Sequence, residues 1–356
     1  MTENNKALLA LIRLGIGHSS TERPMQFDWD ALESLAAQHG LNAVLVDGVE
    51  RLPDGHRPPK PMLLQWIGEA LQDYEYRYDV YRMTIANLAG FYNRHGYKMM
   101  VLKGYACSLD WPKPEHRPCG DIDIWLFGSH KEADAVLEEE KGIEIDRSHH
   151  HHTAFCWGDF MVENHYDFIN VHHHKSNVEF EGRLKKLAED DSHFVDVNGE
   201  RVYLPSPNLH ALFLLKHAMM HFASEGITLR QLMDWGLFIK AHRKEVDLVW
   251  LEGVLEEFGM RKLYDIFNAI CVDDLWFEAD LFSSLQVDPL LMDRVLNDIL
   301  SPEFSRELPE NIIKRVIFKY RRWKGNGWKH ELCYKESLWS AFRSGVWSHL
   351  LKPNSI

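Results

Sequence analysis

Asp121 and Asp123 stand two residues apart in the run Arg117-Pro118-Cys119-Gly120-Asp121-Ile122-Asp123-Ile124-Trp125-Leu126. Side chains alternate between the faces of a strand, so an i, i+2 pair projects from one face. Ile122, Ile124 and Leu126 give that strand apolar anchors. Two carboxylates held side by side repel each other unless a cation lies between them. Mg²⁺ fits this role, because it is a hard ion usually held by one or two carboxylates plus substrate phosphates. The chemistry is then metal-assisted phosphoryl or nucleotidyl transfer, in which two ions clamp the attacking and leaving oxygens. A lone pair of acids at a solvated strand end would do none of this, so the neighbouring residues carry the decision.

Upstream, residues 98–102 read as a short buried strand. Lys103-Gly104 breaks it, and residues 105–109 open a helix. A glycine at a strand-to-helix turn lets backbone N–H groups approach an anion, and a helix N-terminus favours negative charge. Lys103-Gly104 is therefore expected to cradle phosphate. Downstream, residues 153–157 and 160–168 read as two strands joined by a Gly158-Asp159 turn, a hairpin signal. Glu163, His165 and Asp167 alternate with Val162, Asn164 and Tyr166. A third carboxylate from this hairpin would complete a metal site, and Glu163 and Asp167, on one face, are both able to supply it.

Leu102-Lys103-Gly104, Arg117-x-x-Gly120-Asp121-Ile122-Asp123 and Val162-Glu163-x-His165-Tyr166 together resemble the uncharacterised branch of the polymerase-β-like nucleotidyltransferase superfamily. That superfamily carries Gly-Ser or Gly-Gly at a first helix turn, then Asp-x-Asp or Asp-x-Glu, then an acid on a later strand. Here Lys-Gly stands in place of Gly-Ser. The resemblance implies that Asp121, Asp123 and Glu163 are the catalytic and metal-binding acids, with Asp167 as competitor for the third place. It also implies that Lys103, Gly104, Arg117 and Gly120 face the nucleotide. It extends to a helical part with His217-x-x-x-His221 and Leu229-Arg230-x-Leu232-x-Asp234-Trp235, which puts His217, His221 and Arg230 near the nucleotide. It spans roughly residues 98–239. Two departures stand out. The second small residue of the turn is missing, and the 17-residue step from Gly104 to Asp121 is longer than usual, with Trp111-Pro112-Lys113-Pro114 in the extra length.

The function so implied is Mg²⁺-dependent transfer of a nucleoside monophosphate from an NTP to an acceptor hydroxyl, through a two-ion site. Two rivals remain open: a catalytically silent nucleotide-binding or protein-interaction module, and a metal-dependent phosphohydrolase using the same acids. With 40 basic against 53 acidic residues the chain carries a net charge of −13. That opposes broad binding to nucleic-acid phosphates, which depends on Lys and Arg neutralisation, so a protein or small-molecule acceptor is favoured. Five scattered cysteines without a CxxC suit a reducing compartment. No leader is visible and no apolar window approaches membrane-spanning length, so the expected location is the cytoplasm.

Positioning these groups calls for an α+β chain: a nucleotidyltransferase-like mixed sheet over residues 97–205, a helical N-terminal region over 1–96 and a helical C-terminal domain over 206–356. Asp28 is placed to cap a helix that stops at His39-Gly40, a long helix is expected over 62–92, and Ser206 to cap the helix beginning near Pro207. The hairpin turn Asn198-Gly199 joins two further strands.

Other groups invite chemistry with less support. His149 to His152 is a run of four imidazoles suited to Zn, Cu or Ni, yet consecutive residues on a strand cannot all face one centre, so a polar strand entry or loop, or accidental metal affinity, is the expectation. The same discount applies to His172-His173-His174. His217 and His221 share a helix face, as a packing pair or as groups beside the nucleotide. Arg230 is placed either to bind phosphate or to pair with Asp234 at i, i+4. Lys314, Arg315, Lys319, Arg321, Arg322, Lys324 and Lys329, interleaved with Phe318, Tyr320, Trp323 and Trp328, read as a solvated helix face with aromatic anchors rather than as a nucleic-acid patch.

Overall fold

The computed structural model describes residues 1–18, 27–172, 174–283, 285–303 and 308–343; His173 lies outside the described residues. Among the described residues, five α-helices precede the sheet: α1 (Glu3–Gly15), α2 (Trp29–His39), α3 (Asn42–Glu50), α4 (Lys60–Glu69) and α5 (Arg77–Arg94). Asp28 caps α2 by accepting from the Asp30 N–H, and α2 stops where Gly40 turns left-handed at φ 68°. α4 and α5 form one rod joined by a π-helical stretch, Ala70–Tyr76, where the sequence led us to expect a plain helix. Wide π turns of this kind recur at functional sites. Here Glu75, on that stretch, bonds His116 at 3.1 Å.

The remaining helices are α6 (Lys103–Ser108), α7 (His130–Lys141), α8 (Ser176–Leu187), α9 (Pro207–Ser224), α10 (Leu229–His242), α11 (Leu248–Glu257), α12 (Arg261–Asp273), α13 (Pro289–Leu300), α14 (Ile312–Gly325) and α15 (Gly327–Cys333). Ser206 occupies the N-cap of α9, but its hydroxyl makes no capping bond. Six strands, β1 (Met100–Val101), β2 (Ile122–Trp125), β3 (His152–Trp157), β4 (Phe160–His165), β5 (Phe194–Val197) and β6 (Glu200–Tyr203), form one mixed sheet in the order β3-β4-β2-β1-β6-β5. β2 runs parallel to β4 and antiparallel to β1, and the turns at Gly158 and Gly199 close the β3–β4 and β5–β6 hairpins.

The two-residue period of β2 divides its side chains between two cores. Ile122 and Ile124 pack with Tyr81, Ile85, Leu88 and Tyr92 of α5. Asp134 of α7 covers the same face, accepting from Thr153 and Asn164. Trp125, with Met100 of β1, faces the opposite way, into a large core shared by α1–α3 and α8–α12. Asp123 belongs to this second face, so alternation alone turns it toward the C-terminal helices. No described helix is long and apolar enough to cross a membrane.

The run near the C-terminus is split by packing. Lys329 is buried and ion-paired to Asp298 at 2.6 Å, and Trp328 lies under Arg294 at 3.9 Å, while Val316 and Tyr320 of α14 are exposed.

Lys216 of α9 crosses the large core against the faces of Phe180 and Tyr334. It is 2% exposed. Burial lowers its ammonium from the ordinary 10.5 to about 8. The unfolded chain thus holds a proton that the folded chain releases between these values, so stability rises with pH across pH 8 to 10.5 and the penalty is complete below pH 8. Lys216→Met is expected to stabilise the fold by on the order of 3 kcal/mol at pH 7. Urea unfolding of both proteins at pH 7 and pH 10 should show this advantage shrinking at the higher pH.

Candidate functional site

The parallel register of β2 and β4 sets Asp123 beside Glu163 and Trp125 beside His165. Paired residues of neighbouring strands share a face, so Asp123 and Glu163 meet by backbone pairing alone. One ligand atom each from Asp123, Glu163 and His165 falls within 4.8 Å of the others. His165 lies 3.1 Å from Asp123 and 3.5 Å from Glu163 through Nε2. Its Nδ1 donates to the Asp167 carbonyl at 3.1 Å.

β4 ends at His165, so the alternation that put Asp167 on the face of Glu163 does not reach it. The Asp167 carboxylate is taken by Lys185 of α8, and it does not line the cavity described below. Asp121 precedes β2 and is exposed. Its backbone carbonyl accepts from the Tyr81 hydroxyl at 3.0 Å.

The turn upstream is tight. Lys103 sits at φ 31° and Gly104 at φ 9°, ψ −92°, away from helical values, so the regular part of α6 begins after them. A Cβ on Gly104 would come within 2.5 Å of the Tyr81 hydroxyl oxygen, so a larger residue there would displace that hydroxyl from the Asp121 carbonyl it bonds. The turn aims the Lys103 ammonium at Asp123, 2.7 Å away. The same ammonium donates to Nε2 of His217 at 3.2 Å. His221 Nε2 lies 3.1 Å from that nitrogen, and its Nδ1 donates to Glu225 at 2.7 Å. A polar chain thus runs from Asp123 through Lys103 and the α9 histidines to the far end of α9.

Electrostatics follow from this crowding. Burial, Glu163 and Asp123 all raise the Asp121 carboxyl. Burial pushes Asp123 up as well, but the Lys103 ammonium and the hydrogen bond from His165 outweigh it and hold that carboxyl well below the usual range. Burial drives the His165 imidazolium down, while Asp123 and Glu163 overcome it and raise the group to about 9. Burial, then Lys103 and His221, lower His217 well below its ordinary value, so it accepts as a neutral ring.

Arg117 is buried and bidentate with Asp234 of α10, at 2.8 and 2.9 Å. Trp111 Nε1 donates to the same carboxylate at 2.9 Å. The long step between Gly104 and Asp121 is therefore a strap bound at both ends, since Lys113 and His116 also bond Asp47 of α3. Asp234 does not take the i, i+4 partner that spacing offered: no ion pair joins it to Arg230 among the described residues. Arg230 lines the cavity, and its Nε is buried without a hydrogen-bond partner. Burial and the neighbouring Arg117 both oppose its charge.

Lys103, Gly104, Arg117, Gly120, Asp121, Asp123, Glu163, His217, His221 and Arg230 all line one cavity of about 490 Å³ between the sheet and helices α9 and α10. His151, His152 and His165 line it too, and the sequence reading gave none of these three a role. The signal for His151 and His152 was the histidine run itself, discounted because four consecutive residues cannot all face one centre from a strand. β3 starts only at His152, which frees His151 from strand alternation. The other two take other partners as well: His149 bonds Asp146 at 3.3 Å and stacks on the His152 ring at 4.3 Å, and the His150 ring lies 4.8 Å from that of His172. A second, more apolar cavity of about 730 Å³ shares Met220 and His221 with the first and is walled by Tyr320, Trp323, Tyr334 and Phe342.

Comparison with known proteins gives three findings. The model of a family described as an uncharacterised nucleotidyltransferase matches residues 25–275. The crystal structure of an antigenic nucleotidyltransferase-like protein from Paracoccidioides brasiliensis is similar at 15% identity and a TM-score of 0.33, over 49% of this chain and 87% of that one. No curated protein matches the chain.

Proposed function

The chain belongs to the uncharacterised nucleotidyltransferase family, and on that premise we propose that it transfers a nucleoside monophosphate from an NTP, with Mg²⁺, to an acceptor hydroxyl. The observation that carries this is the meeting of Asp123 and Glu163 across two parallel strands, with Asp121, Lys103 and Arg230 lining the same cavity. The donor set fits the ion. Asp121, Asp123 and Glu163 offer hard oxygens, and the Asp121 carboxyl is raised first by burial and then by the charges of Glu163 and Asp123, which a divalent cation would offset. Bound there, Mg²⁺ would neutralise and orient the triphosphate.

The protein's own groups do the rest. Arg230 contributes a guanidinium with an unsatisfied buried donor, suited to phosphate oxygens. Lys103 pairs with Asp123 in this structure and is within reach of the same wall; His217 and His221 hold it from behind. Glu163 completes the acid cluster and accepts a hydrogen bond from the acceptor hydroxyl. Enclosure by α9 and α10 keeps water from competing with that hydroxyl. The adjoining apolar cavity supplies space for an acceptor with an aromatic or aliphatic body. Catalysis comes chiefly from positioning and charge neutralisation.

Incubating the protein with each α-labelled NTP, Mg²⁺ and cell lysate tests this. Label on an acceptor with release of pyrophosphate is expected. Inorganic phosphate instead would identify a phosphohydrolase, and tight NTP binding with neither product would identify a silent module. Arg230→Ala is expected to weaken NTP binding by roughly 10-fold or more, since charged hydrogen bonds contribute about 1.5–3 kcal/mol, with little change in melting temperature. Calorimetry with NTP and a thermal melt separate this from a structural role, which would give the opposite pattern.

A further inference from the structure

We infer that His151, His152 and His165 form a nitrogen-lined binding site for a first-row transition ion of the Zn²⁺ class, contiguous with the acid cluster and sharing His165 with it. One ring nitrogen from each of the three lies within 4.8 Å of the others. Ring centroids are 4.5, 5.3 and 5.6 Å apart. Two backbone features build this. The antiparallel register sets His152 directly opposite His165, which puts both rings on one face. His151 stands just before β3, where its carbonyl accepts the N–H groups of Tyr166 and Asp167 and fastens it to the end of β4.

The His151 and His152 rings are poised as ligands, and a bound ion would displace the proton that His165 Nε2 holds toward Asp123 and Glu163. His152 is 6% exposed, and Nδ1 of both His151 and His152 is buried without a hydrogen-bond partner, a condition buried polar atoms rarely keep. His165 donates through Nδ1 to the Asp167 carbonyl. Metal-binding histidines are usually oriented in this way by a backbone carbonyl or carboxylate, which directs the other nitrogen at the ion. Glu163 lies 3.8 Å from His152 Nε2 and 3.5 Å from His165 Nε2, able to supply a fourth ligand. Imidazoles with a carboxylate match Zn²⁺, which takes such a tetrahedral set at about 2.0–2.2 Å. Oxygen-seeking Mg²⁺ is not drawn to nitrogen. Simple affinity of a histidine run does not describe the arrangement, since the nitrogens that converge are those of His151, His152 and His165, while His149 bonds Asp146 and stacks on the His152 ring and His150 lies against His172.

The test titrates metal-free full-length protein with Zn²⁺ by calorimetry and with Co²⁺ by visible absorption. One ion per chain is expected. His151→Ala and His152→Ala should each weaken it by roughly 10-fold or more, while a His149→Ala/His150→Ala double variant should not. Asp121→Asn should keep Co²⁺ binding while losing Mg²⁺-dependent NTP binding, which separates this site from the nucleotide reading. Unchanged affinity in both single variants, equal loss in the double variant, or loss of Co²⁺ in Asp121→Asn would each overturn the inference. Crystals of the unaltered protein soaked in Zn²⁺ give a check that needs no variant: an anomalous peak among the three imidazoles supports the site, and a peak only elsewhere refutes it.

Discussion

Asp123→Asn is expected to abolish Mg²⁺-dependent NTP binding and any nucleotidyl transfer while leaving the fold in place. Asp123 is the acid on which the site's charges converge: it pairs with Lys103 at 2.7 Å and with His165 at 3.1 Å, and it faces Glu163 across the β2–β4 pairing. The amide keeps the shape and one acceptor oxygen but gives up the charge. Loss of groups that merely orient metal ligands costs roughly 10–100-fold in affinity, so removing a ligand's charge should exceed about 100-fold. Calorimetry with NTP and Mg²⁺, beside circular dichroism, decides it. Unaltered affinity in a folded variant would remove the acid cluster from the nucleotide site.

The largest loss of stability is expected from Asp234→Ala. Asp234 accepts both arms of buried Arg117 and the indole of Trp111. Removing it strands a guanidinium that is 7% exposed, and breaking a buried pair from one side costs about 3–5 kcal/mol. With an unfolding entropy of about 2.1 cal/mol/K per residue, a loss of that size lowers the melting temperature by on the order of 5 °C. Arg117→Met combined with Asp234→Leu should recover most of it, because the penalty lies in the orphaned charge rather than in the absence of the pair. A single variant that melts like the unaltered protein would show that Arg117 finds another partner. The strap carrying Arg117 leads directly into Gly120 and Asp121, so its release should also weaken NTP binding.

Two features of the site were legible in the sequence for local reasons. The direction of Asp123 needs only strand alternation, with Ile122 and Ile124 on the other side fixing which way the strand turns, while Asp121 stands just before β2 and lines the same cavity. The break at Lys103-Gly104 is likewise local, since a glycine after a short apolar run marks a strand-to-helix turn; the Tyr81 hydroxyl that crowds Gly104 comes from α5. The α+β class followed from the same kind of signal: short β-rich runs with turn residues between 98 and 204 and helical spacing on either side. The family was legible because its motifs lie on these local elements.

What the tertiary structure decided is pairing between distant segments. Alternation put Glu163 and Asp167 on one face, and only the end of β4 at His165, with Lys185 of α8 drawing Asp167 away, set Glu163 alone beside Asp123. Spacing offered Asp234 to Arg230, four residues away, but the carboxylate went to Arg117 on the strap, which left Arg230 to the cavity. The histidine run could not be read at all without the register, because β3 begins at His152, one residue before the expected 153, which sets His152 opposite His165, while His151 is fastened just outside the strand by the N–H groups of Tyr166 and Asp167. Side-chain periodicity is a property of a single strand or helix and is written along the chain. Which charges meet depends on where elements end and on how they cross, and those depend on the packing of the whole core.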